Sequence, residues 1–312
     1  MIKKGYSIET LFSVLPVYFF ILIGLIVKKI FKEKIDEKSY VILSFYFLQP
    51  ILIFWGLTKA PIDYGFIMSP VIYFYAIFTV LFILIIISKK IFSDSKDRTI
   101  FLAVSLVGNT GNIGVPLGIA LFGEQSVPYT SIINIANMFF IYIFSVYFFA
   151  KEQFSLKEAI TTIFKLPGLW VAAFAICINY NSIELSKEIT RVLEMGAYAA
   201  MVLQLIIFGV YLSEVKVRTM NWKLSFSIST VKHIILPIVG IYFVILSDLN
   251  VYVSSILVMQ LMVPLAVNNV NLAALYSCKP YDVTASVLIS TLKFTLLLYF
   301  YLELIKYFIG EY

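Results

Sequence analysis

Long apolar blocks separated by short polar clusters run from one end of this chain to the other. With about 20 residues needed to cross a bilayer as helix, the blocks predict ten spans: 8–29, 40–58, 66–88, 98–122, 127–149, 163–180, 191–212, 224–247, 251–277 and 283–308. Two of them are interrupted. The fourth contains Val107 to Gly118 (VGNTGNIGVPLG), and the ninth contains Pro264 to Asn271 (PLAVNNVN), placed 148 residues after Pro116. Hydrocarbon offers no water to freed backbone groups, so such segments persist at membrane depth only inside protein or along a wet cavity. Paired breaks in corresponding halves of a chain mark the solute site of a secondary transporter.

Composition agrees with the pattern. Hydrophobic residues make up 61% of the chain and charged ones 13%, with a mean hydropathy of +0.94, which excludes an ordinary soluble domain. The net charge of +6 does not point to nucleic acid, because the basic residues fall between apolar blocks. Sixteen of the 24 lie in loops on one side: Lys28, Lys29, Lys32, Lys34, Lys38, Lys89, Lys90, Lys96, Arg98, Lys151, Lys157, Lys165, Lys216, Arg218, Lys223 and Lys279. The other side, with both termini, has Lys3, Lys4, Lys59, Lys187, Arg191 and Lys306, while Lys232 and Lys293 fall inside spans. The asymmetry predicts a multi-pass protein of the cell membrane with both termini extracellular. Pro16 within the first block, lysines behind it and no small-residue cleavage site mark that block as a retained span. Lys151 to Lys165 reads as at most a short interfacial helix. Cys177 and Cys278 lack metal-ligand spacing and read as packing residues, and no cofactor is expected.

The halves echo each other. Leu15-Pro16 recurs as Leu166-Pro167, and Gln49 to Gly56 (QPILIFWG) resembles Gln204 to Gly209 (QLIIFG). Two five-span repeats, 1–150 and 151–312, follow. An odd number of spans inserts the second repeat from the opposite face, so the expected fold is all-α, with two inverted repeats and crossed broken helices in the fourth and ninth spans.

The breaks carry the candidate chemistry. Pro116 stops a helix running from Arg98 and restarts one with itself near the first position. The 11 residues from Arg98 to Gly108 make about 16 Å of helix, which puts the break near the bilayer centre. Gly108, Gly111 and Gly114 free the backbone, and Asn109, Thr110 and Asn112 bring short polar groups. The restarted half-helix aims unpaired N–H groups and a partial positive charge at the break, a seat for an anion. In the second break Pro264 ends one half-helix and Asn268 or Asn269 caps the next, with Asn271 following. Asn134 and Asn137, spaced i, i+3 on the fifth span, either complete the polar cavity or hold helices together. Lys293, deep in the last span, is a candidate counter-ion or a lysine whose stem reaches a polar partner. His233, the only histidine, is more simply a packing residue, though its chemistry suits a proton relay.

The segments GNTGNIGVPLGIALFG, VPLAVNNVNLAALY and DVTASVLISTLKF resemble the auxin efflux carrier family of membrane transporters, in its short prokaryotic form, and the resemblance extends over essentially the whole chain. It implies a fold like that of bile-acid symporters and sodium/proton antiporters, with spans 1, 2, 6 and 7 as scaffold and spans 3–5 and 8–10 as a moving core. Asn109 and Thr110 match the Asn-Thr of the plant carriers' Asn-Pro-Asn-Thr-Tyr motif, whose asparagine contacts the carboxylate substrate. Gly108 stands in place of its proline and Gly111 in place of its tyrosine, departures that tell against auxin itself; the resemblance to prokaryotic relatives implies dicarboxylates such as malate or malonate.

Together these readings predict a secondary transporter of a small organic anion, malate-, malonate- or auxin-like, working by alternating access. Export or exchange is favoured because an inside-negative potential drives anions outward. The expected site is Asn109, Thr110, Gly111, Asn112, Pro116, Asn134, Asn137, Pro264, Asn268, Asn269, Asn271 and Lys293. A cation/proton antiporter or sodium-coupled symporter of the same fold is the alternative. By analogy of fold alone, a homodimer through the scaffold is expected.

Overall fold

The computed structural model describes residues 15–58, 62–149, 164, 167–213 and 220–310. The start of the first span, Lys3, Lys4, Lys59, the segment Lys151 to Lys165 apart from residue 164, Leu166, Lys216 and Arg218 lie outside the described residues, as does the side chain of Asn271. The described chain is helical. Its helices are α1 (Leu15–Phe31), α2 (Ser39–Thr58), α3 (Tyr64–Ile91), α4 (Ser95–Val104), α5 (Thr110–Phe122), α6 (Glu124–Phe149), α7 (Pro167–Tyr180), α8 (Lys187–Ser213), α9 (Trp222–Ile245), α10 (Val251–Met262), α11 (Asn268–Leu275) and α12 (Pro280–Phe308). Helices α2, α3, α6, α8, α9 and α12 are long and apolar enough to cross a membrane; α5, α7 and α10 are shorter apolar helices. This is an integral, multi-pass membrane protein.

The fourth and ninth predicted spans are both split, the fourth into α4 and α5 and the ninth into α10 and α11. The α-helix restarts at Val115 with Pro116 in its first turn, as expected, and a widened π turn over Thr110–Gly114 leads into it. A proline lacks the N–H that would bond the carbonyl four residues back, and its ring crowds that carbonyl. A π turn just upstream relieves the crowding. The same device recurs at Ser44–Leu48 before Pro50 and at Val231–Ile235 before Pro237.

Helix packing falls into two groups. Helix α8 lies along α1 and α2, and α7 along α2. The α1–α8 seam is glycine-tight: a Cβ on Gly24 would lie 2.0 Å from the Ile206 carbonyl oxygen, and one on Gly209 would lie 1.9 Å from that of Ile21. Helices α3, α6, α9, α10 and α12 pack on one another and around the split helices.

Polar side chains tie the lysine-rich face together. Lys279, left-handed at φ 45°, donates to Asp94 at 2.7 Å and Asp97 at 2.6 Å, and Asn221 donates to Asp97 and accepts from Leu224 N–H as the cap of α9. Burial works against the Lys279 ammonium, yet the hydrogen bonds to Asp94 and Asp97 hold it up to about 12. Its hydrogen bond to Asp94 in turn lowers that carboxyl. The lysine's contribution to stability is therefore complete below its ordinary 10.5 and fades as pH rises through about 12.

The seam gives a direct test. Gly209→Leu drives a side chain into backbone and is expected to destabilise the detergent-solubilised protein by about 1–3 kcal/mol or more, whereas Gly168→Ala meets only the flexible end of Ile53 at 3.1 Å and should leave the melting temperature nearly unchanged. Thermal unfolding of both variants measures the contrast.

Candidate functional site

The two non-helical segments, 105–109 and 263–267, cross and pair antiparallel. Asn109 N–H donates to the Pro264 carbonyl at 2.7 Å, and Ala266 N–H donates to the Val107 carbonyl at 3.0 Å. Groups that a helix would have paired are thus paired with the other break. Helix α6 completes the support. The Asn137 amide donates to the Gly108 carbonyl at 2.8 Å and to Thr110 Oγ1 at 2.9 Å, and its oxygen accepts from Tyr73 at 3.0 Å. Thr110 in turn donates to Asn134 Oδ1 at 2.8 Å. On the other side, Ser290 accepts from Leu265 N–H at 3.0 Å and bonds His233 Nε2 at 2.8 Å.

The predicted residues therefore divide. Thr110, Asn134 and Asn137 are buried and bonded into the support of the first break. Asn134 also lies against Gly111, where an added Cβ would come within 3.0 Å of its oxygen. Asn109 begins α5, its carbonyl accepting from Ile113 and Gly114, and its buried amide nitrogen has no partner. Asn269 is fully buried with neither side-chain atom bonded. Pro264 supplies the crossing carbonyl, and Pro116 frees the carbonyl of Asn112 by having no N–H to offer it. Asn271 lies on α11. Lys293 is half-buried on α12 with its ammonium 5.0 Å from the Phe226 ring centroid, and that ring is exposed on the helix bundle's outside.

Asn112 and Asn268, at the starts of the two resumed half-helices, both line one narrow cleft. Its far wall is Ser44, Phe45 and Gln49 from α2 with Gln204, Ile207 and Tyr211 from α8. Gln204 is 2% exposed, and neither its amide nitrogen nor its oxygen has a partner. A buried amide left unpaired costs about 1–3 kcal/mol, and this one stands on a cleft wall. The free volume is about 30 Å³, room for one or two waters. Toward the lysine-rich face it widens into a vestibule of about 210 Å³ between α2, α6 and α11, which shares Val41, Phe45 and Asn268. Toward the opposite face it is closed by an apolar plug of Leu52, Trp55, Val115, Val127, Ala197, Ala200 and Met201.

A crossing of split helices with a polar cleft between helix groups is transporter architecture, and comparison with known families agrees: the family description "Membrane transport protein" matches residues 9–302. The chain belongs to this auxin efflux carrier-type family. Its members are transporters, not enzymes. No curated protein matches the chain.

Within this membrane transport fold, two residues at the cleft and one at the crossing lie outside the site predicted from sequence. Gln49 and Gln204 stand out in the sequence only as part of the echo between halves, and in the structure both line one cleft. Lys232 was set aside as a basic residue inside a span. It is fully buried, and its Nζ lies 2.8 Å from where a Cβ on Gly108 would be.

Asn137→Ala strands the Gly108 carbonyl and the Tyr73 hydroxyl, an expected loss of about 1–3 kcal/mol for each buried group left unpaired. Asn112→Ala, at the half-buried cleft, should alter thermal stability far less. Melting temperatures in detergent separate the two roles.

Proposed function

We propose that this protein is a secondary transporter of a small organic anion, a carboxylate of the malate or malonate class, bound in the cleft between Asn112, Asn268, Gln49 and Gln204. The observation that carries this reading is the Gln204 amide, buried and unpaired, facing the first turns of two half-helices. Each half-helix starts with N–H groups that have no partner inside the helix and a partial positive charge. Two such ends with amide donors around them favour a carboxylate. Asn109, Thr110, Gly111, Asn134, Asn137, Asn269 and Asn271 shape and support the site, with Pro116 and Pro264 fixing where helix stops.

In this reading residues 1–150 and 151–312 are inverted five-span repeats whose breaks cross in opposite senses. The group α1, α2, α7 and α8 is the scaffold, and the remaining helices move against it. Room for only one or two waters means the walls part before a dicarboxylate enters, and the vestibule on the lysine-rich face is where they part. With that face in the cytoplasm and both termini outside, the protein sits in the cell membrane ready to take an anion from within. Each negative charge moved outward gains about 2.3 kcal/mol per 100 mV of inside-negative potential, which favours export or exchange. A homodimer through the scaffold fits the same fold.

The test is radiolabelled malonate flux in proteoliposomes. Asn112→Ala with Asn268→Ala, and separately Gln204→Leu, should reduce flux about tenfold or more, the loss of hydrogen bonds to a charged group, while size-exclusion profiles stay those of the unaltered protein. Unchanged flux in both would remove the cleft as the site.

A further inference from the structure

Behind the paired breaks, away from the cleft, lies a polar feature that carboxylate binding does not use. Lys232, in the π turn of α9, is fully buried and its ammonium has no hydrogen-bond partner. It ends at the first break: a Cβ on Gly108 would lie 2.8 Å from Lys232 Nζ and 3.5 Å from the Gln260 carbonyl oxygen. That carbonyl belongs to the last turn of α10, and the residue four positions on is Pro264, which has no N–H to give it. The ammonium therefore sits where a half-helix ends in partial negative charge.

Between Lys232 and the lysine-rich face the α9–α12 seam carries an interrupted ladder of buried hydroxyls, with no hydrogen bond joining Lys232 to its nearest rung. His233 bonds Ser290 at 2.8 Å, and Ser229, one turn along α9, is buried with its hydroxyl unpartnered. Ser225 and Ser286 bond each other at 3.0 Å, and Ser286 also donates to the Asp282 carbonyl at 2.8 Å. The Asp282 carboxylate accepts from Asn221 N–H at 3.0 Å, and Asn221 reaches Asp97 in the surface cluster. Residues 225, 229 and 233 of α9 face residues 282, 286 and 290 of α12, each series at four-residue spacing. Hydroxyls both donate and accept, so such a row relays a proton once side-chain rotation or water bridges its two gaps, at Lys232 and at Ser229.

We propose that Lys232 is a proton-binding site, loaded from the lysine-rich face along this ladder, whose charge and the anion in the cleft stabilise each other across the crossing. The second half of that statement rests on the reading of the cleft as an anion site. The exchange involves only the N–H bond: the ammonium passes its proton to the hydroxyl row and on to water at the lysine-rich face, leaving an amine, and regains one as an anion binds. Reciprocity makes anion affinity depend on the proton by the same factor that proton affinity depends on the anion.

Few other charges face this site. His233 follows it on α9; α12 brings Lys293, and Tyr301, whose hydroxyl donates to the His233 carbonyl at 3.2 Å. Helix α3 brings Tyr73 through Asn137, while the breaks and α10 bring the neutral Asn109 and Gln260. The carboxylates Asp97 and Asp282 stand at the far, surface end of the ladder. Hydroxyl rows of this kind also serve simply to hold helices together, and the experiment separates the two roles.

Malonate affinity is measured in detergent between about pH 7 and 9, where carboxylates are fully ionised. The unaltered protein should lose affinity as pH rises, by up to about tenfold per pH unit for one linked proton. Lys232→Gln, and Lys232→Met as a second variant, should bind more weakly and with no pH slope. Removing a buried unpaired charge does not by itself unfold a protein, and thermal melting confirms that both variants are folded. Ser229→Ala should slow the proton uptake that follows addition of malonate. A second arm uses no solute: in the ¹⁵N spectrum of lysine-labelled protein, the resonance missing from Lys232→Gln should move between ammonium and amine positions over the same pH range. If malonate fails to bind at all, the cleft reading falls and this arm still decides the proton site. A resonance that stays in place, or a pH slope retained in Lys232→Gln, overturns the proposal.

Discussion

Two helices that stop halfway through a membrane leave backbone groups with no water to bond, and each such group costs several kcal/mol in hydrocarbon. Here each break answers the other: Asn109 N–H meets the Pro264 carbonyl and Ala266 N–H meets the Val107 carbonyl. Two hydrogen bonds do not account for every freed group. The remainder explains why polar side chains appear so deep in apolar helices. Asn137 takes up the Gly108 carbonyl and Ser290 the Leu265 N–H. These side chains are consequences of the crossing, and the helices that carry them, α6 and α12, are fixed in register by it.

The prolines set a second tier of geometry. Each of Pro50, Pro116 and Pro237 stands two residues beyond a π turn, and each leaves one carbonyl, four residues back, without its usual donor. Behind Pro237 the orphan is His233, taken up by the Tyr301 hydroxyl. Behind Pro116 it is Asn112, at the cleft. The widened turns also rotate what lies in them: Ser44 faces the cleft wall, the Thr110–Gly114 turn opens α5, and Lys232 is carried inward to the crossing. Irregularity forced by a missing N–H thus positions groups that a regular helix would have sent elsewhere.

Much of this was legible from the chain because the signals were covalent. A proline cannot donate and a glycine cannot crowd, so the split of the fourth and ninth spans could be read directly, within a few residues. The widened turn over Thr110–Gly114 ahead of the restart could not, since a π turn answers to packing as well as to Pro116. Side-chain roles were harder. Asn134 and Asn137 share a helix face whether they line a cavity or hold a backbone, and only their partners decide between the two. Lys232 and Lys293 look alike in sequence, each a lone cation within an apolar span. Their separation is three-dimensional: Lys293 meets the Phe226 ring on the bundle's outside, and Lys232 ends against Gly108, which only the glycine's missing side chain makes room for.

The cleft lies where the two helix groups meet, and its two ends are built from different materials. Toward the lysine-rich face, α2, α6 and α11 leave a vestibule with Tyr46 and Tyr142 among its walls. Toward the opposite face, Trp55 and Leu52 of α2 close on Val115 of α5, Val127 of α6 and the small faces of Ala197 and Ala200 on α8. That apolar plug is a cluster separate from the main core, so parting it exposes little else. A hydrogen bond from Tyr198 of α8 to Glu124 of α6 lies beside it. In the proposed cycle, opening the plug would expose these few side chains, and closing the vestibule would bury others on the opposite side. The glycine-locked α1–α8 seam stays out of that exchange, because no residue with a Cβ could follow a sliding path there. On that proposal the surfaces that part are the ones facing the cleft, and the glycine-tight ones lie behind it.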